Sequence, residues 1–100
     1  MRRRFVIGVE GLDKDQERRF REYIAKFGPW WHWIDNLWLL TTKREDVTAK
    51  DIRDHARELA SSARVVVIEF PEDITWATGG ARNSSGKAMS EWLLSPWGDD

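Results

Sequence analysis

The sequence predicts an α+β domain in which a four-stranded antiparallel sheet carries two helices on one face. Three observations lead there. Segments of period two and period 3.6 follow one another as strand, helix, strand, strand, helix, strand. Each helical segment opens on a pair of residues suited to cap it, Asp13 with Gln16 and Thr48 with Asp51. The two middle strands are separated only by Asp35-Asn36, a two-residue turn that makes them a hairpin.

The elements follow in order. In "RRFVIGV", residues 3–9, Phe5, Ile7 and Val9 alternate with Arg4, Val6 and Gly8, so the first set faces a core. In "KDQERRFREYIAKF", Phe20, Ile24 and Phe27 fall at i, i+4 and i+7 with Tyr23 beside them, and Gly28-Pro29 ends the helix. The hairpin pairs 30–34 with 37–42, setting Ile34 opposite Leu37 and Trp33 opposite Trp38. An unbroken register then puts Trp31, Trp33, Trp38 and Leu40 under the helices, and Trp30, His32, Ile34, Leu37, Leu39 and Thr41 on the outer face. That outer face is also mostly apolar, so something must cover it. Ile52, Ala56, Leu59 and Ala63 form the buried stripe of the second helix. "RVVVIEF", 64–70, is the last strand, with Val66, Ile68 and Phe70 expected to be buried and an apolar density expected of a central position. This βαββαβ order is ferredoxin-like. Residues 1–70 make the core. Residues 71–100 are an extension of loop and short helix, the helix expected within "SGKAMSEWLLS" with Ser84 or Ser85 as its cap. The extension is expected to pack on the core or on a second subunit through Trp92 and Trp97.

Composition bounds the function. One hundred residues make one domain with a modest core, which favours association. No cysteine is present, so disulfides and thiolate metal sites are excluded and a cytoplasmic location is expected. The start "MRRRFVIGVEG" has too short an apolar run for a signal peptide, and no segment approaches the roughly 20 apolar residues of a membrane span. A net charge of −1 argues against a long nucleic-acid partner.

"FVIGVEGL", "GPWWHWIDNLWLL", "TAKDIRDHARELA", "RVVVIEF" and the late Trp76 and "SEWL" resemble the SinR-like proteins, small relatives of the VapD toxins and of the CRISPR-associated integration subunit. The resemblance covers about residues 4–94, and its most specific element is Trp30-Trp31-His32 followed by Asp35 and Trp38. It implies a homodimer built through sheets and, for some relatives, a metal-dependent ribonuclease with an aspartate at the end of the first strand. This sequence carries Glu10 there. Glu10 with its copy across a dimer would hold Mg²⁺ or Mn²⁺, and His32 would serve as general acid. A structural His32 at the dimer interface competes with that role, and His55 reads as packing.

Other residues point to binding. Trp30 is the indole of the hairpin expected to reach a ligand, and Trp76 stands in a Gly/Thr loop where an aromatic serves as a lid or anchor. "GARNSSGK" fails as a phosphate loop, because Gly80 to Gly86 is one residue too long and Ala88 replaces the required Ser or Thr. Arg82, Asn83, Ser84 and Lys87 nevertheless offer donors for an anion. The sequence reading is therefore a non-catalytic, oligomeric binder of a nucleotide or nucleotide-derived signal, of the sequestering kind that serves phage or bacterial defence. It needs no cofactor. The alternatives are the Glu10 ribonuclease and a protein-interaction module that docks through its tryptophans.

Overall fold

A computed structural model describes residues 2–71, 75–80 and 89–97. The strands are β1 (Arg3–Glu10), β2 (Trp30–Ile34), β3 (Leu37–Thr42) and β4 (Arg64–Phe70). The helices are α1 (Lys14–Ala25), α2 (Ala49–Leu59) and a single turn, α3 (Met89–Trp92), which runs into an irregular turn over Leu93–Trp97. The sheet has the order β2-β3-β1-β4 with every neighbouring pair antiparallel, the ferredoxin-like arrangement that the element order predicts.

Local chemistry sets the helix ends. Asp13 accepts from the Gln16 backbone N–H while the Gln16 side chain accepts from that of Asp13, at 2.8 and 2.9 Å. Thr48 and Asp51 repeat this reciprocal cap. Each pair satisfies two amide groups, the Ncap and N3 N–H. The Gln16 amide also donates to Leu59 O at 2.9 Å, tying the start of α1 to the end of α2. Beyond α1 the chain presses against β3. Thr42 Oγ1 donates to Phe27 O at 2.7 Å and the Thr41 N–H to Pro29 O at 3.0 Å, with Gly28 held between.

Phe20 and Ile24 of α1 and Ile52 and Ala56 of α2 pack on Phe5, Ile7, Val9, Trp38 and Leu40 of the sheet. Burial of each large apolar side chain here contributes about 1.5–3 kcal/mol. The Phe20 and Trp38 rings meet edge to face, with centroids 5.5 Å apart.

Two expectations about the sheet need correction. The β2–β3 register is not continuous. Ile34 pairs with Leu37, but Trp31 pairs with Leu39 and Trp30 with Leu40, so His32 and Trp33 together face Trp38 across a bulge. The extra residue moves Trp31 and Trp33 to the outer face and Trp30 and His32 to the helix face. The β3 assignment holds, with Trp38 and Leu40 inside. The second correction concerns β4, which is an edge strand. Val65 and Val67 turn toward the helices, while Val66 and Ile68, expected to be buried, are 58% and 47% exposed.

The outer face is covered in part by the chain's own extension. Leu93 and Trp97 pack on Trp31 and Leu39, and Arg4 Nε donates to Trp97 O at 2.7 Å. The described helix of the extension starts at Met89. The cap expected at Ser84 or Ser85 lies outside the described residues.

Candidate functional site

The outer face of the sheet holds a groove of about 330 Å³. Its floor is Val6 of β1, Trp31 of β2 and Leu39 of β3. Residues 75–79 form one rim, and Leu93 and Trp97 form a wall. Each element reaches it for a local reason. The β2 bulge turns Trp31 outward, alternation along β1 and β3 brings Val6 and Leu39 up, and the Arg4 bond anchors the turn that carries Trp97. Trp76 stands on the rim, 38% exposed. No ionisable side chain among the described residues lines this groove. The described lining is apolar and aromatic, the character of a small-molecule pocket.

A second depression lies between α1 and α2 and has the opposite character. Tyr23 and His55 stack there at 3.7 Å, beside Asp51, Asp54 and Glu58. Burial pushes the His55 imidazole below its ordinary range, with Glu58 opposing and Lys26 adding to the shift. Burial also raises the Tyr23 hydroxyl. Asp46 also lines this depression, so four carboxylates give it a negative potential that repels an anion.

Of the residues singled out from the sequence, Trp76 lies on the groove. Trp30 does not. It is half-buried on the helix face, 5.9 Å from Trp38 between ring centroids, because the bulge reverses its side of the sheet. Arg82, Asn83, Ser84 and Lys87 lie outside the described residues. Glu10 is exposed at the end of β1, where its cross-strand partner Arg64 approaches its carboxylate at 3.4 Å. Among the described residues no group of three His, Asp or Glu side chains comes together to hold a metal ion.

His32 packs inside its own chain. Its ring stacks on Trp38 at 3.6 Å, Nδ1 is 3.0 Å from Leu37 O, and Nε2 is 3.0 Å from Glu17 Oε1. Nε2 thus ties the hairpin to α1, while Nδ1 closes the hairpin on its own second strand. His55 packs on Tyr23 as expected.

Of the tryptophans that line the groove, Trp31 and Trp97 are not singled out as ligand-binding by the sequence. No local signal marks the bulge that turns Trp31 to the outer face, where it is buried against Leu93 and Trp97. The apolar character of Leu93 and Trp97 was the only pointer to the wall. Comparison with protein-family models, with curated proteins and with solved structures finds no match to this chain.

Proposed function

We propose that the protein is a non-catalytic binder of a nucleotide or nucleotide-derived anion, with the base held in the groove on the outer face of the sheet. The supporting observation is the groove itself, where Trp31 lies in the floor, Trp76 stands on the rim and no ionisable group is present among the described residues. Its volume is at the low end of small-molecule sites, about 300–1,000 Å³, which suits one ring system better than a length of strand. Stacking a base on an aromatic side chain contributes about 1–3 kcal/mol. The anionic part of the ligand would meet Arg82, Asn83, Ser84 and Lys87. Their segment follows directly from Gly79 on the rim, and at most about 11 Å of extended chain separates Gly79 from Arg82.

The test is a calorimetric and fluorescence titration of the full chain with linear and cyclic nucleotides, with and without Mg²⁺. Binding is expected without the metal, and Trp76→Ala or Arg82→Ala should weaken it about tenfold. Absence of binding at millimolar nucleotide, or unchanged affinity in both variants, would refute the reading. Metal-dependent RNA cleavage that disappears in Glu10→Ala would replace it with the ribonuclease.

The binder acts as a homodimer in this reading, joined along β4. That strand is an open edge with two exposed apolar residues on its outer face, whereas the other edge, β2, is interrupted by its bulge. Two copies of β4 related by a two-fold axis normal to the sheet keep their outer faces together only if paired residue numbers sum to an even value. Centring on Val67 then sets Val66 opposite Ile68 of the second copy, and the reverse, so both exposed side chains gain an apolar neighbour.

A further inference from the structure

Two registers are open to β2 against β3, and they differ in what faces the groove. In the unbroken one Trp31 stands opposite Leu40 and His32 opposite Leu39, which turns Trp31 under the helices and His32 to the outer face. In the observed one Trp31 pairs with Leu39, and the chain shifts between Trp31 and Ile34. The observed register supplies the apolar seat on which Leu93 and Trp97 pack, Trp31 with Leu39. The choice of register therefore decides whether the groove has its floor and its wall.

What distinguishes the two lies on the opposite side of the sheet. The His32 side chain reaches into the helix layer and is 12% exposed. Its ring lies flat on Trp38, 3.6 Å away between centroids and 7° between planes. Nδ1 donates to Leu37 O at 3.0 Å, since a carbonyl oxygen only accepts. Nε2 lies 3.0 Å from Glu17 Oε1 of α1. On the outer face the same ring would stand opposite Leu39, in a row continued by Val6 and Ile68. None of those three side chains offers a partner to either nitrogen, and a polar group removed from water without a partner is costly. Leu37 and Trp38 travel with the hairpin, so Glu17 is the contact that references β2 to the rest of the fold.

We infer that Glu17 and His32 are positioning residues for the groove: their bridge, on the helix side of the sheet, holds β2 in the shifted register that puts Trp31 on the outer face. This inference rests on the groove being the binding site. It assigns control of that site to an α1 side chain that lines none of it.

The experiment reads register and binding separately, on the full-length chain and on its variants. Nuclear Overhauser contacts from the Trp31 backbone to Leu39 mark the shifted register, and contacts to Leu40 mark the unbroken one. Calorimetric titration with adenosine and guanosine 5′-monophosphate reports the groove. Glu17→Leu and His32→Phe both remove the bridge, the second keeping a ring on Trp38. Glu17→Gln preserves it, because an amide both donates and accepts. The first two should show Trp31–Leu40 contacts and bind nucleotide at least about fivefold more weakly, the lower end of what holding a base on aromatic side chains contributes. Glu17→Gln should keep the Trp31–Leu39 contacts and an affinity within about twofold. Trp31–Leu39 contacts that persist in a folded Glu17→Leu or His32→Phe chain overturn the positioning role, whatever the affinity does. Unfolding of both variants overturns it too, since the bridge would then hold the whole domain and not one register. Failure of the unaltered chain to bind either nucleotide overturns the groove reading, and leaves the register to be decided by the contacts, which need no ligand.

Discussion

Gly28→Ala is expected to be among the most damaging single-methyl additions the described structure allows. Gly28 has φ +155, in a region that is essentially restricted to glycine. A Cβ built there would lie 2.4 Å from the backbone oxygen of Thr41. An ordinary carbon–oxygen contact is about 3.3 Å, so the two segments would have to separate by about 0.9 Å. No rotamer relieves this, because both partners are main chain. The displacement acts on the bonds on either side, Thr42 Oγ1 to Phe27 O and Thr41 N–H to Pro29 O. Losing one or both costs about 0.5–1.5 kcal/mol each, and the backbone strain adds about 1–3 kcal/mol. The sum, about 1.5–6 kcal/mol, is a large share of the 5–15 kcal/mol typical of a domain. At about 4–8 °C per kcal/mol the melting temperature should fall by at least about 6 °C, and the variant at the upper end would not fold. Urea unfolding followed by circular dichroism measures it. Gly79→Ala is the control, since a Cβ there meets nothing within 4 Å, and it should stay within about 0.5 kcal/mol. A Gly28→Ala midpoint equal to that of the unaltered protein would refute the close approach, and with it the start of β2 that decides where Trp30 and Trp31 point.

Two other outcomes are expected. Because burial lowers the folded-state value for His55, the unfolded chain binds more protons around its ordinary value of about 6.5. The sign follows: this contribution is fully present above that value and is lost as pH falls through the lowered one. The melting temperature should therefore drop between pH 7.5 and 5.5. His55→Phe, which keeps the stack on Tyr23, should reduce that drop, and an identical pH profile in the variant would count against the buried neutral ring. Along β4, Ile68→Lys should turn a sedimenting dimer into a folded monomer with its melting curve nearly unchanged. An unaltered chain that sediments as a monomer at high micromolar concentration removes the β4 pairing.

Elements governed by neighbours in the chain were legible from sequence, and those governed by distant contacts were not. The caps at Asp13 and Thr48 read correctly because each is closed within four residues. The stripe of α2 and the hairpin turn at Asp35-Asn36 are likewise local patterns. The face assignment of β2 failed at a single inserted residue. What accompanies that insertion is His32 bridging to Glu17 of α1 and to Leu37 O, contacts that no window on the strand contains. Trp30, expected to reach a ligand, therefore packs on the helix face, and Trp31, expected under the helices, packs on the outer face. β4 misled differently. Its run of valines and isoleucine is apolar on both faces, which a central strand also shows, and run length alone does not separate a central strand from a sticky edge. Trp97 joined the site only through tertiary packing across more than ninety residues of sequence from Arg4.

One wall of the cleft is contributed by a short terminal piece seated on the β-layer by two large side chains and a guanidinium tie. Seating and occupancy are therefore thermodynamically linked: whatever fills the space also clamps the piece down, by an amount set by its concentration relative to its dissociation constant. If the proposed binding holds, cutting the chain after Gly80 should abolish it in a titration while circular dichroism still shows α1 and α2, and should leave a slab of bare indole and leucine prone to self-adhesion.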